Sequence, residues 1–485
     1  MFVSKRCLLG GVLIAVVAVL IQLVLPADCY YNETKFKKLV YHDHTNDDAI
    51  SMSTEELITR SGFDYKDYYA VADDGYITQI LHLINPKADK KQLKYPPVLI
   101  LHGSHLDTSI YVMASSIQHH PERWPRKPID GPMTSYNRSL AFTLANNGYD
   151  VWLLGGRGSN LANSAWTKEA KLHRSQQPHF KPSKWMKAYS WLPKYWNSGL
   201  DDIIKYELYN QIDLVRNLTG AKEIHYFSFS LTTMTTMALL AKKPSYAKMC
   251  RTYTQMAPVI AASHFSHLAR IYWEKIVPYV TNRGIGHSPS YFFDQVILKK
   301  VVFKLAKSDF LRYTAVQELN RMLFGPSPIY HTNLERNVIH HLIQPVSFKS
   351  AQHYGQVSKT QKFRHYDYGP LGNLFHYNKT SPPEYKIDRL EVQNYLIISA
   401  ALDALADSLT VQRIKEQTST PTPVTHMIAP GFNHIDLVAA VEVDIYVNKP
   451  IIEYLDKHSD WPGANSSQKQ APAAGTPRPM ASTAQ

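Results

Sequence analysis

Short apolar runs alternate with amphipathic segments through most of this chain, and this alternation limits the folds open to it. Residues 96–103 (PPVLILHG) hold four consecutive apolar residues before a glycine turn, the pattern of a strand buried on both faces. Further strands are predicted at 149–153, 224–229, 251–257, 394–401 and 423–429. Helices are predicted at 139–148, at 200–218, from 231 to just before Pro244, and at 436–456. This order predicts an α/β fold with a mainly parallel sheet and helices on both faces.

The alternation stops between residues 259 and 390. This region carries long aromatic, amphipathic segments, such as 264–280 and 291–305, and no clear strand. Because the sheet pattern returns afterwards, we expect a mostly helical cap or lid at 259–390, inserted into one core domain formed by residues 30–258 and 391–460. Residues 461–485 contain no acidic residue and are rich in Ala, Ser, Thr and Gln, so this tail is predicted to be disordered.

Residues 1–29 have the pattern of an export signal. Two basic residues precede an apolar stretch at 7–25, which Pro26 ends. Small residues favour cleavage after Cys29, although the stretch is also close to the length of a membrane anchor. We expect a protein of the secretory pathway, secreted or lysosomal, with anchoring by this segment as the alternative. Acceptor triplets for glycosylation, which agree with this route, occur at Asn32, Asn137, Asn217, Asn378 and Asn465.

Charge and cysteine content exclude several other classes. The chain has 53 Lys and Arg against 40 Asp and Glu, a net charge of +13, but the basic residues are scattered and no nucleic-acid-binding motif occurs. Of three cysteines, Cys7 and, after cleavage, Cys29 leave with the signal, and Cys250 is predicted to be a packed small hydrophobe. Without a Cys-x-x-Cys pair, a His-Glu-x-x-His run or a calcium loop, we expect no metal and no cofactor.

Ser230 lies between a predicted buried strand and a predicted helix. In this position a sharp turn exposes the hydroxyl above the sheet, as in a nucleophile elbow. Taken alone, the pattern favours a serine that merely caps the helix. The usual elbow has glycine two residues before and two after the serine, where this chain has Ser228 and Thr232. If the elbow is used, we expect these side chains to displace the nucleophile, and Thr232→Gly to speed the reaction.

Two further residues complete a triad in sequence order. Asp403 directly follows the predicted strand 394–401, and His434 lies in the loop after the next strand. Serine, acid and histidine in this order, with the acid and the histidine at the ends of the last two strands, are typical of one class of hydrolase. Asp407 is a rival acid, and Asp403 is favoured because it lies at the strand end.

The loop after the first strand begins with His102 and Gly103. This loop is either an ordinary turn or the source of a backbone amide that stabilises an oxyanion. In the second case, the N–H of Ser104 in this loop and the N–H of Leu231 together form the oxyanion hole.

From about Glu55 to Leu455 the chain resembles the acid lipases, the family of gastric lipase and lysosomal acid lipase. The resemblance rests on ordered blocks, which are GFDYKDYYAVADDGYI, VLILHG, SLAFTLANNGYDVWLLGGRG, GLDDIIKYELYNQIDLV, IHYFSFS, MAPV, FRHYDYG, HYNKTSPPEY, ALDALAD and FNHIDL. It implies an α/β-hydrolase fold with an inserted cap, and it assigns the triad to Ser230, Asp403 and His434. The family's elbow reads Gly-His-Ser-Gln-Gly, of which this chain keeps only the serine, and the cysteine pair of the gastric enzyme's cap is absent.

The resemblance implies hydrolysis of neutral lipid esters, either triacylglycerols or steryl esters, through an acyl-enzyme at a lipid–water interface. The altered elbow motivates an alternative, a secreted lipid-binding protein with the same fold and little turnover. A peptidase on this fold is disfavoured because the cap blocks match lipases.

Overall fold

One sheet of nine strands organises the described part of the chain. This computed structural model describes residues 52–89, 93–116, 138–159, 164–166, 196–260, 270–276, 317–327, 341, 344, 346–406, 408–418, 424–440 and 442–460. The strands are Asp64–Val71 (β1), Tyr76–Ile84 (β2), Lys94–Leu101 (β3), Tyr149–Leu154 (β4), Ser164–Trp166 (β5), Ile224–Phe229 (β6), Cys250–Met256 (β7), Tyr395–Ala400 (β8) and Thr425–Ala429 (β9).

The strand order is β1-β2-β4-β3-β6-β7-β8-β9, and β5 pairs with β2 outside this path. From β4 to β9 every neighbouring pair is parallel. In β3, four consecutive residues from Val98 to Leu101 are at most 1% exposed, although successive side chains point to opposite faces. Both faces of the sheet are therefore covered, and the predicted mainly parallel α/β fold is confirmed.

The first two strands form an antiparallel hairpin that the sequence patterns did not single out. β1 and β2 pair from Asp64 with Ile84 to Val71 with Ile77, and β2 also pairs antiparallel with β4. The turn contains Gly75 at φ 88°, whose N–H donates to Ala72 O at 2.9 Å. An Asp-Asp-Gly turn between two strand-forming runs is a hairpin signal.

Of the four helices predicted for the core, those at 139–148 and from 231 to before Pro244 are confirmed, and the other two differ from the prediction. The helices at Thr54–Arg60, Pro244–Met249 and Ser408–Gln417 were not predicted. The described helices are Thr54–Arg60 (α1), Leu140–Asn146 (α2), Leu208–Thr219 (α3), Thr232–Lys242 (α4), Pro244–Met249 (α5), Gln317–Phe324 (α6), Phe348–Thr360 (α7), Gly369–Tyr377 (α8), Ser408–Gln417 (α9), Asp436–Ala439 (α10) and Lys449–Asp456 (α11). The predicted helix 200–218 is helical throughout, but a π-helical turn at Ile203–Glu207 separates Leu200–Asp202 from α3.

The prediction of one continuous helix over 436–456 is wrong. After α10 the backbone of Ala440 is extended, with ψ 156°, and a π-helical turn at Asp444–Asn448 precedes α11. The interruption therefore lies at Ala440, and the backbone is helical from Asp444 through α11. Pro450 lies in the first turn of α11, where its missing N–H is tolerated.

The chain leaves the sheet after β7 and returns to it at β8, and these two strands are parallel neighbours. The elements described between them are mostly helical and include α6, α7 and α8. Of the predicted segments 264–280 and 291–305, the first is described only at 270–276 and the second lies outside the described residues. The boundaries of an inserted cap remain a prediction.

The segments predicted to be an N-terminal signal or anchor and a disordered C-terminal tail lie outside the described residues. Within the described ranges, no helix is both long and apolar enough to span a membrane. Cys250 is a buried free thiol, as predicted, and burial raises the pKa of that thiol.

Candidate active site

Ser230 occupies a sharp turn between β6 and α4. Its backbone has φ 55°, the left-handed region that non-glycine residues seldom adopt. The turn is closed by two backbone bonds, from Ser230 N to Met256 O at 2.9 Å and from Thr233 N to Ser230 O at 3.0 Å. This is the geometry of a nucleophile elbow rather than of an ordinary helix cap.

The hydroxyl of Thr232 holds the elbow closed. It donates to Phe229 O at 2.9 Å and accepts from Phe229 N at 3.3 Å, so one side chain binds both backbone groups of the preceding residue. The hydroxyl of Ser228 accepts from Thr236 at 3.1 Å in the buried space between β6 and α4. The two side chains that replace the usual glycines are therefore hydrogen-bonded, Thr232 to the turn and Ser228 to α4.

The structure brings the three predicted triad residues together. His434 Nε2 lies 2.8 Å from Ser230 Oγ, and His434 Nδ1 lies 2.8 Å from Asp403 Oδ2. The side chains of His434 and Asp403 are 2% and 0% exposed. The sequence-based expectation of a displaced nucleophile is not met, because Ser230 Oγ is within hydrogen-bonding distance of the histidine.

Backbone donors orient the carboxylate of Asp403. Its Oδ1 accepts from Leu405 N at 2.7 Å and from Ala406 N at 2.8 Å, which leaves Oδ2 for the histidine. With a carboxylate at Nδ1, the imidazole donates there and Nε2 is the acceptor for the serine hydroxyl. The rival acid, Asp407, lies outside the described residues.

A strap at the end of α6, formed by Phe324 and Gly325, joins the loops that carry the acid and the histidine. Phe324 O accepts from Ala404 N at 3.1 Å and from His434 N at 3.3 Å, and Gly325 O accepts from Asn433 Nδ2 at 2.9 Å. The Phe324 ring lies parallel to the His434 ring, with centroids 6.1 Å apart. Sequence analysis missed this strap, and a Gly-Pro helix stop at 325–326 was the available signal.

Asn433 and Asp436 shape the loop on either side of His434. Asn433 Oδ1 accepts from the backbone N–H groups of Ile435 and Asp436, each at 3.0 Å, and Asp436 Oδ2 accepts from Asn433 N at 2.9 Å. Burial raises the pKa of Asp436 to about 6, and the nearby carboxylate of Asp403 adds to this effect. The loop thus depends on a carboxyl group that titrates in the mildly acidic range.

The loop after β3 lies directly against the elbow. A Cβ atom added to Gly103 would lie 3.0 Å from Ser230 Cβ, so the close approach requires glycine. His102 fixes this loop by accepting from Gly156 N at 2.8 Å and donating through Nδ1 to Gly103 O at 2.8 Å. Burial lowers the pKa of His102, in agreement with this neutral tautomer.

Ser104 and Leu231, the predicted oxyanion residues, flank this contact. Within the described ranges, neither backbone amide donates a hydrogen bond to another protein group. The side chain of Ser104 pairs with His105 Nδ1 at 2.9 Å. The role of these two amides remains a prediction.

Aromatic side chains from outside the sheet pack beside the loop that follows β3. The rings of Trp273 and Tyr354 meet edge to face with centroids 4.6 Å apart, and Trp273 lies 5.6 Å from the ring of His105. Burial lowers the pKa of His105 to about 4, so this ring is neutral at most pH values. The wall beside Ser104 is therefore aromatic and largely uncharged.

Two of the predicted glycosylation acceptors lie within the described residues, and both are exposed. Asn217 is in α3, and Asn378 follows the end of α8. The other three, Asn32, Asn137 and Asn465, lie outside the described residues. Among the described residues, no cluster of histidine, cysteine and acidic side chains is arranged to hold a metal ion.

Two observations define an α/β-hydrolase fold. One is the strand order, and the other is a serine turn after β6 whose hydroxyl is hydrogen-bonded to a histidine–aspartate pair at the last two strand ends. Among known proteins, the chain is similar to acid lipases. It is 25% identical to gastric triacylglycerol lipase of Homo sapiens over 85% of this chain and 93% of the relative. It is 26% identical to a tear acid lipase-like protein of Mesocricetus auratus, over 86% and 94% of the two chains.

A third relative is the lysosomal acid lipase/cholesteryl ester hydrolase of Homo sapiens, 24% identical over 85% of this chain and 92% of the relative. No family model matches the sequence. Among solved structures, a carboxylesterase of Bacillus subtilis aligns with 83% of this chain and 96% of its own at a TM-score of 0.42 and 11% identity, and the fold assignment rests on the strand order instead. The predicted resemblance to the acid lipases is confirmed.

Thr232→Gly tests the hydrogen bonds by which Thr232 holds the turn at Ser230. Because the change removes both bonds to Phe229, we expect the free energy of unfolding to fall by about 1 kcal/mol with no gain in kcat on a dissolved ester. Thr232→Ser keeps the hydroxyl and should retain most of the stability. A higher kcat in the glycine variant, measured beside urea unfolding, would restore the idea that threonine strains the nucleophile.

Gly325→Ala tests the strap. Gly325 has φ 101°, and an added Cβ would overlap the carbonyl oxygen of Leu402. We expect the unfolding free energy to fall by about 3 kcal/mol, from left-handed strain together with overpacking. Gly220→Ala is the matched control, because Gly220 has φ 69° with no atom within 4 Å of the added carbon, so strain alone should cost about 1 kcal/mol. Equal losses in urea unfolding would contradict the steric argument.

Asp436→Asn tests the titration beside His434. The pKa of Asp436 is about 6 in the folded protein, which is above its value in the unfolded chain. Protonation of Asp436 therefore stabilises the folded protein fully below the unfolded pKa, and this stabilisation is lost as pH rises through 6. The unfolding free energy of the parent relative to the variant should therefore fall by about 3 kcal/mol between pH 3.5 and pH 7.5. Urea unfolding of both proteins across this range measures the difference. A difference that does not vary with pH would show that folding does not shift the pKa of Asp436.

Proposed function

We propose that this chain hydrolyses neutral lipid esters through a covalent acyl-enzyme on Ser230. The observation that carries the proposal is the unbroken relay from Ser230 Oγ through the His434 ring to Asp403, with both distances at 2.8 Å. A serine hydroxyl becomes a nucleophile when an adjacent imidazole can take its proton. The burial of the histidine and the aspartate keeps their bond free of competing water.

In the first half of the reaction, Ser230 Oγ attacks the ester carbonyl carbon while His434 Nε2 takes the hydroxyl proton. The carbonyl oxygen becomes an oxyanion, and the amides of Ser104 and Leu231 are the proposed donors to it. Their position on both sides of the Gly103 contact with the elbow supports this assignment. The intermediate then collapses, the C–O bond to the alcohol breaks, and His434 returns the proton to the leaving alcohol oxygen.

In the second half, water attacks the acyl-enzyme. His434 takes a proton from that water, and Asp403 stabilises the imidazolium. The new intermediate collapses with loss of Ser230 Oγ, which regains its proton from His434. The products are a fatty acid and the free serine, and no step requires a cofactor.

A neutral lipid is the proposed substrate class. Relatives are named for triacylglycerol and for cholesteryl ester, and these names support a long-chain ester. The aromatic wall formed by Trp273 and Tyr354 beside the oxyanion loop suits an acyl chain. The relatives are also named for the stomach and the lysosome, which supports the proposal that the chain enters the secretory pathway.

The alternative of a lipid-binding protein without turnover was motivated by the altered elbow. The hydroxyls of Ser228 and Thr232 are hydrogen-bonded, and Ser230 reaches His434. Both observations support the enzyme over the binder.

Labelling by a fluorophosphonate, combined with hydrolysis of a dissolved short-chain ester, tests the proposal. The parent should be labelled, and Ser230→Ala should lose both the label and about 10⁴-fold or more of kcat. Asp403→Asn and His434→Ala should show comparable losses, because triad members act as a unit. Ser61→Ala, at the end of α1, is the control serine and should behave as the parent.

An unlabelled, inactive parent that still binds a fluorescent fatty ester would establish the lipid-binding alternative. Activity that persists in the Ser230→Ala protein would reject Ser230 as the nucleophile.

A further inference from the structure

Helix α8 presents its apolar side chains to solvent and a polar side chain to the protein. Leu371 and Phe375 are 85% and 84% exposed, and Leu374 is 49% exposed. The buried residue of this helix is Asn373, at 1%. An ordinary surface helix has the reverse arrangement, with its apolar face against the core.

Hydrogen bonds of a buried asparagine hold this helix in place. Asn373 Oδ1 accepts from Tyr368 N at 2.9 Å, and Asn373 Nδ2 donates to Asp367 Oδ1 at 2.7 Å and to Thr380 O at 3.2 Å. Asp367 Oδ1 also accepts from Gly369 N at 2.8 Å. The fold is therefore secured without burying the apolar face of the helix.

Leu371, Leu374 and Phe375 form what we call the apolar ridge. They follow the spacing i, i+3 and i+4, which places them on one side of the helix. The rings of Tyr368 and His376 stack beside the ridge, with centroids 4.0 Å apart. Contiguous exposed apolar side chains with aromatic neighbours mark an interaction surface.

The charge around the ridge favours an anionic, apolar surface as its partner. The sequence has no acidic residue from Tyr368 to Pro383, and Lys379 is exposed just beyond the helix. The nearest preceding acid, Asp367, is engaged with Gly369 and Asn373. The chain as a whole carries a net charge of +13.

The ridge is connected through α7 to residues that pack against the loop after β3. Gln356 of α7 binds both the N–H and the carbonyl of Asp367, at 2.8 and 2.9 Å, which ties α8 to α7. Helix α7 also carries Tyr354, whose ring packs on Trp273. Trp273 in turn contacts His105 in the oxyanion loop.

We propose that the apolar ridge docks this protein onto a lipid surface that carries anionic amphiphiles, chiefly fatty-acid carboxylates. The inference rests on the proposed function, because ester hydrolysis releases fatty acids into the surface of the substrate. The ridge inserts into the apolar layer, and Lys379 faces the carboxylates. Docking thereby strengthens as the product accumulates.

Flotation of the protein with phosphatidylcholine vesicles, prepared with and without oleate, tests the proposal. Leu371→Ser combined with Phe375→Ser should weaken binding to oleate vesicles by about tenfold or more, because two apolar side chains no longer leave water. The control combines Leu409→Ser and Ile445→Ser, which change side chains that are 45% and 37% exposed elsewhere, and it should bind as the parent. Because Asn378 is a predicted glycan acceptor beside the ridge, all proteins are compared after enzymatic removal of N-glycans.

Oleate should strengthen binding of the parent, and high salt should reduce that gain. Equal binding by parent and ridge variant would overturn the proposal. So would binding that is unchanged by oleate, or a parent dimer that the ridge variant converts to a monomer without loss of vesicle binding. Phe375→Ser alone, at a nearly fully exposed position, provides the same comparison if the double variant does not fold.

Hydrolysis of a dissolved short-chain ester separates the two proposals. The ridge variant should hydrolyse the dissolved ester at the parent rate and lose activity only on an emulsified ester. A parent that binds vesicles through the ridge but hydrolyses neither ester would reject the proposed function and leave the docking surface standing.

Discussion

The turn at Ser230 is the constraint on which the rest of this structure depends. A non-glycine residue with φ 55° is held there by a backbone bond to Met256 and by the hydroxyl of Thr232, which binds both backbone groups of Phe229. The turn places the serine hydroxyl at the carboxyl edge of the sheet. Every other element of the site must reach that one position.

The parallel sheet brings the partners to it, since the carboxyl ends of neighbouring parallel strands lie along the same edge. The loops after β8 and β9 supply Asp403 and His434, and the strap of Phe324 and Gly325 binds these two loops together. The strap comes from the region between β7 and β8. That region therefore helps to position the loops that carry Asp403 and His434.

The same region also carries the apolar ridge of α8. Folding there uses the buried amide of Asn373 and leaves the leucine and phenylalanine side chains in water, where they add nothing to the stability of the core. A helix built in this way has its binding surface available without any rearrangement. The link from α8 through α7 to the wall of Tyr354 and Trp273 joins that surface to the site.

The sequence by itself determined the α/β class, the positions of most strands and helices, and Ser230, Asp403 and His434 as candidates. These depend on local periodicity and on the rule that strand ends of a parallel sheet meet at one edge. Only the tertiary structure decided that the elbow hydroxyls are bonded, that Gly325 passes against Leu402, and that α8 turns its apolar face outward. In each case the energy of the folded protein depends on which residues come into contact. The type of a single residue and its neighbours in the sequence do not determine that contact.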